Sequence, residues 1–139
     1  NISEDDRSEV ICIMRTMGEV VVVDKEDEID VIAAIASSGP AYYFQFMEHM
    51  VNAAVKRGLS KQQAEKLVAQ TCLGAAQMAL KSDEDMATLR KNVTSKKGIT
   101  FEALCTFERF SLGEIIDNAI QANITRAQQL AQEFSSEIS

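Results

Sequence analysis

Proline is almost missing from this chain. Pro40 is the only one among 139 residues, so long stretches can run as uninterrupted helix. Tryptophan is absent and aromatics make up 6%, which excludes an aromatic-rich stacking surface. Basic residues are in deficit, 14 Lys and Arg against 21 Asp and Glu. The resulting charge of -7 argues against a nucleic-acid or anionic-membrane surface. No apolar run approaches the ~18 residues of a membrane span. The opening residues NISEDDRSEV are polar and acidic, unlike a secretory leader. Cysteine occurs three times, as Cys12, Cys72 and Cys105, with no C-x-x-C spacing. These read as reduced, buried thiols of a cytoplasmic protein. His49 is the only histidine, so neither a His-based metal site nor a His-centred triad can be assembled. The six glycines are scattered, and no two fall close enough for G-x-G-x-x-G or a P-loop.

What is abundant favours helix: Ala, Leu, Gln, Glu, Lys and Met recur. The hydrophobic share of 46% and charged share of 25% belong to a globular chain with a real core. Ser3 before Glu4, Asp5 and Asp6 predicts a capped helix over 3–17, ended by Gly18. Val20 to Val23 then read as a short buried strand. A lone strand cannot satisfy its own backbone, so it should pair with something outside this region. The acidic run DKEDEID at 24–30 lacks the spacing of a calcium loop and reads as a solvated turn with helix-capping acids.

From Asp27 onward the period is helical. Ile29, Ile32, Ala33 and Ile35 or Ala36 mark one helix, interrupted by SSGPAY at 37–42. A helix from about Pro40 to Arg57 follows, capped by Ser38 or Ser37, with Phe44, Met47, Met50, Val51, Ala54 and Val55 turned inward and Gly58 at its end. Ser60 and Gln63 form a capping box, with Leu59 stapled onto Ala64, at the head of a helix reaching Lys81. Gly74, Ala75, Ala76 and Ala79 are small enough for another helix to approach closely. Helices at about Asp85–Asn92, Phe101–Phe110 and Gly113–Phe134 complete the pattern. The apolar stripes of 40–57, 61–81 and 113–134 are wide. They fit either a compact bundle core or a second face buried between subunits.

The loop VTSKKGIT at 93–100 carries the most chemistry. Thr94, Ser95 and Thr100 surround Gly98 just before a helix, and Lys96 and Lys97 add positive charge to an acidic chain. Free N–H groups at a helix start attract carboxylate or phosphate, while an ordinary helix cap would use the same residues.

Three segments in order, SSGPAY, then GLSKQQAEKLVAQTCLGAAQM at 58–78, then LRKNVTSKKGIT at 89–100, resemble pyrroline-5-carboxylate reductases. The resemblance spans about Asn1 to Leu130 and is to the C-terminal, helical half of that family. It implies an all-α bundle of the 6-phosphogluconate-dehydrogenase C-terminal-domain-like type over 26–139. Residues 1–25 would be the last helix and strand of a Rossmann domain. The chain would then be a fragment, a proteolysed product or a degenerate paralogue.

The reaction implied is reduction of the cyclic imine of 1-pyrroline-5-carboxylate to L-proline, in proline biosynthesis. Hydride comes from NADPH or NADH held mainly by the missing N-terminal domain, so the chain by itself should be inactive. The partners implied are a second copy in an interlocked homodimer, with any higher assembly left open, and a small imino acid; nucleic acid and membrane are not among them. By the same resemblance Ser95, Gly98, the Ile99 backbone and Thr100 hold the substrate carboxylate. Thr100 is the catalytic residue, placed near the imine nitrogen to orient it. Three departures stand out. Lys96-Lys97 replaces the family's Pro-Gly and Ile99 replaces a small residue, while SGSGPAY becomes ASSGPAY. The rival reading is a non-catalytic helical dimerisation module of a degenerate paralogue. A 6-phosphogluconate-dehydrogenase relative fits the architecture but not the three motifs.

Overall fold

A computed structural model describes residues 2–137 as a chain of helices, without a strand among them. Helix α1 covers Glu4–Arg15 and α2 covers Asp27–Ile32, which runs on into a π-helical turn over Ala33–Ser37. Then come α3 (Gly39–Val55), α4 (Lys61–Lys81), α5 (Met86–Asn92), α6 (Ile99–Arg109) and α7 (Leu112–Glu137). No described helix is long and apolar enough to cross a membrane.

The caps explain most boundaries. Ser3 Oγ accepts from the Asp6 N–H at 3.1 Å and starts α1. Ser60 and Gln63 close the capping box in both directions, the Ser60 N–H donating to Gln63 Oε1 at 3.1 Å. Gly58 sits at φ +104°, a left-handed conformation that glycine adopts without a Cβ clash, and lets the chain reverse from α3 into α4. The short link makes these two helices antiparallel neighbours, the most extensive packing in the chain.

Three sequence expectations are corrected. Val20–Val23 is not a strand, because no neighbouring segment offers ladder hydrogen bonds; Val21 and Val22 lie exposed rather than buried. Ser38 does not cap α3 through its side chain. Its Oγ instead accepts from Asn123 Nδ2 of α7 at 2.9 Å, tying the SSGPAY corner to the last helix. Cys12 is exposed, because no residue of α1 is buried, and Cys72 and Cys105 are half-buried on helices covered on one side only; all three are free thiols.

Burial is sparse and follows narrow stripes. On α4, Ala64, Val68 and Cys72 recur every four residues and face α3, whereas Leu67, Leu73, Met78 and Leu80 on the same helix are exposed. On α7, Ile120, Asn123, Ile124 and Ala127 pack toward α2 and the π-helical turn, leaving Ile115, Ile116, Leu130 and Phe134 bare. Phe44, Met50 and Val55, expected inward on α3, are exposed as well. Their stripe is wider than the single neighbour α4 can cover. The accessible surface of 11968 Å² exceeds, by roughly 4,800 Å², the about 7,100 Å² that a compact monomer of 15.3 kDa shows. Helix α1 adds to the excess. Every hydrogen bond and ion pair of residues 3–17 stays within that segment, and no α1 residue is buried.

Candidate functional site

The loop between α5 and α6 is built by its own short-range hydrogen bonds. Asp85 caps α5, accepting from the Thr88 N–H at 2.7 Å, and its carboxyl is held below the usual range by that bond and by Thr88's side chain. The far end of α5 is closed by Thr94, whose Oγ1 donates to the Arg90 carbonyl at 2.6 Å. Next, the Gly98 N–H donates to the Ser95 carbonyl at 3.0 Å and closes a four-residue turn. Lys97 occupies its third position at φ +58°. A positive φ there is the mark of a type II turn, whose favoured residues at the two central positions are Pro and Gly. This chain places Lys96 and Lys97 at those positions and still makes the turn.

What Gly98 offers is room rather than an unusual dihedral, since its φ of -82° is open to any residue. A Cβ added there would collide with Ser95 Oγ and lie 3.2 Å from the Ser95 carbonyl oxygen. Gly98 is the N-cap of α6, with no side chain capping that end. The first N–H groups of α6, from Ile99, Thr100 and Phe101, therefore point out of the helix start without an intrahelical acceptor. Thr100 is the second residue of α6 rather than its cap, and it is exposed. Ile99 is 93% exposed, an unusual position for so apolar a side chain.

Beside the turn lies a cavity of about 470 Å³ between α5 and α6. Thr88, Arg90, Lys91, Thr94, Ser95 and Lys96 line it together with Ala87, Phe101 and Leu104, and most of the lining surface is apolar. Ser95 is thus the member of the expected set that lines the cavity. Gly98 shapes the turn, while Ile99 and Thr100 flank it on the helix start. Arg90 and Lys91 were missed as wall residues, although they stand in LRKNVTSKKGIT. Their signal was adjacency, since Arg90 and Lys91 stand in the last turn of α5 just before Thr94, whose hydroxyl bonds the Arg90 carbonyl. A second cavity of about 290 Å³, almost wholly apolar, lies between α3 and α4 against Phe46, Met50, Val68 and Cys72. Among the described residues no cluster of His, Cys, Asp or Glu could hold a metal ion.

Comparison with known proteins identifies the family. Residues 26–130 match the family described as "Pyrroline-5-carboxylate reductase dimerisation". A pyrroline-5-carboxylate reductase of Vibrio alginolyticus is 41% identical over 135 residues, 96% of this chain and 50% of that protein. The Pseudomonas aeruginosa one is 39% identical over 122 residues, 88% of this chain and 45% of its own length. Among solved structures, a pyrroline-5-carboxylate reductase of Coxiella burnetii superposes with a TM-score of 0.89 at 42% identity, covering 93% of this chain and 48% of that one. The Plasmodium falciparum pyrroline carboxylate reductase, crystallised with NADP bound, gives 0.79 at 33% identity over 93% and 49%. The chain spans about half the length of the curated relatives it matches. It belongs to the pyrroline-5-carboxylate reductase family, of which it represents the dimerisation region.

Proposed function

We propose that this member of the family forms the dimerisation and substrate-holding part of an enzyme that reduces 1-pyrroline-5-carboxylate to L-proline. The observation that carries the reading is the uncapped start of α6 behind the Ser95–Gly98 turn. In this reading the N–H groups of Ile99 and Thr100, at the positive end of the helix, would hold the substrate carboxylate, with the hydroxyls of Ser95 and Thr100 on either side of the turn as further donors. A substrate carboxylate seated there would leave the ring near Thr100, whose hydroxyl orients the imine nitrogen. The Gly98 N–H is not part of that cradle, being spent on the turn.

The family's reductant, NADPH or NADH, supplies hydride when bound. The described residues do not fit it, because they offer no strand followed by a glycine-rich turn and a helix to seat its phosphates. In this reading the cofactor sits outside residues 26–139, and residues 1–25 are the tail of the nucleotide-binding domain. The chain alone is then inactive. Residues 26–139 form a bundle of the 6-phosphogluconate-dehydrogenase C-terminal-domain-like type, working in the cytoplasm.

The partner is a second copy. The surface in excess of a compact monomer is on the scale that obligate, interlocked subunits bury. One observation favours the rival, non-catalytic module: Lys97 in a left-handed turn position suits catalytic precision less well than glycine would.

Thr100→Ala in the intact reductase separates the two. We expect kcat/KM for the imine to fall about 10- to 1000-fold, which is roughly 1.4–4 kcal/mol for a positioned hydrogen bond at a reacting centre. Thr100→Ser should retain most of the activity. A Thr100→Ala enzyme within twofold of wild type would favour the module.

A further inference from the structure

Arg90, Lys91 and Lys96 share one cavity wall, and none of them is in an ion pair. The ion pairs among the described residues lie elsewhere, at Arg7–Glu4, Lys61–Glu65 and Arg126–Glu133. Three unpaired cations on one hollow run against the trend in a chain of net charge -7. No acid lines the cavity with them, and most of its lining surface is apolar. All three cations are exposed, so their field reaches the hollow through solvent and weakens with added salt. Lys96 is next to Ser95 and directly precedes the left-handed residue of the turn, so it stands where the cavity meets the start of α6.

We propose that Lys96, with Arg90 and Lys91, is a cationic mouth that selects small monocarboxylates and orients the carboxylate toward the α6 start. The assignment rests on the proposed substrate site and adds to it the residues that set its charge selectivity. Lys96 is a specificity residue here, acting through its field rather than on the reacting atoms. Charges at the rim of a site govern capture and its salt dependence more than the steps that follow.

The test uses the intact reductase with Lys96→Gln, Arg90→Gln and Lys96→Glu. KM for the imino acid should rise about threefold for each charge removed and about tenfold for the reversal, with kcat within about twofold. Lys96→Arg should restore the wild-type KM. Raising the salt from about 0.02 to 0.5 M should raise the wild-type KM and leave that of the Lys96→Gln/Arg90→Gln double variant nearly flat. Circular dichroism and sedimentation should match wild type throughout. A KM unchanged in every variant overturns the mouth while leaving the reductase reading intact.

If the protein does not reduce the imine at all, the 139-residue chain is titrated with cyclopentanecarboxylate and followed by backbone amide shifts over 88–98. Carboxylate binding that weakens in Lys96→Gln supports the mouth even though the reductase reading has failed. Equal binding of neutral cyclopentanecarboxamide overturns it, as does inorganic phosphate binding as tightly as the carboxylate. An absence of shifts with any of the three probes overturns it too.

Discussion

The α3–α4–α7 body and the α5–α6 corner are completed in opposite ways. The body is apolar and open: Leu67, Leu73, Phe44, Ile115 and Phe134 face outward, and its inner stripe is a single file of small or branched residues. Its helix α4 is capped by both hydrogen bonds of the Ser60–Gln63 box, yet what the body buries does not account for what it exposes. The corner is polar, and its shape is closed by its own hydrogen bonds, from Asp85–Thr88 through Thr94–Arg90 to the Ser95–Gly98 turn. The difference teaches where each depends on a partner. Hydrophobic burial is non-directional and needs surface from elsewhere, whereas a turn and two caps need only the neighbouring residues.

The comparison is broken most strongly by charging the body. Leu73→Asp places a carboxylate on the bare face of α4, where a second copy would have to bury it unpaired. We expect the dimer to weaken by at least roughly 3 kcal/mol, more than a hundredfold in its constant, as read by sedimentation across concentrations. A dimer of wild-type strength would place that face in solvent.

Gly74→Leu sharpens the same point. A Cβ at Gly74 meets nothing within 4 Å inside the chain, so the change should leave the secondary structure of a single copy intact. Against a closely approaching helix of a second copy it should cost roughly 1–3 kcal/mol of assembly through overpacking. Loss of helix content without loss of association would contradict this.

In the corner, Lys97→Gly relieves the left-handed strain at φ +58°. The gain should be at most about 1 kcal/mol, since the greater freedom of glycine in the unfolded chain offsets part of it. Denaturant unfolding of the assembled protein measures it, and a loss of stability would show that the lysine makes a compensating contact.

The smallest effect is on pH. The Asp85 carboxyl is depressed by its cap bond, so its contribution is present above the ordinary carboxylate range and is lost as the pH falls through the lowered folded value. The Thr88 amide resonance should move in that acid window in wild type and not in Asp85→Asn.

Much of the local structure was legible because it is written in adjacent residues. Ser60–Gln63, Ser3 before its acids and Gly58 each act within one turn of chain, and the structure places them as the spacing predicts. The turn within 93–100 was legible as a candidate site for the same reason. Ser38 was misjudged because its partner, Asn123, lies 85 residues away, and no local pattern announces that bond. Val20–Val23 was misjudged because four valines encode burial and extension but not a neighbour.

By itself, then, the sequence determined seven helices among the described residues, the caps of α1 and α4, the family, and the residues around the Ser95–Gly98 turn, all properties of short segments or of their order. Which apolar stripes are buried, that Arg90 and Lys91 join Lys96 on one wall, and that Thr100 stands on the helix start outside that wall were decided only in three dimensions. A wide apolar stripe is written identically whether it meets its own chain, another copy or water. Only the positions of the other helices decide among them, and those positions leave most of the stripes uncovered.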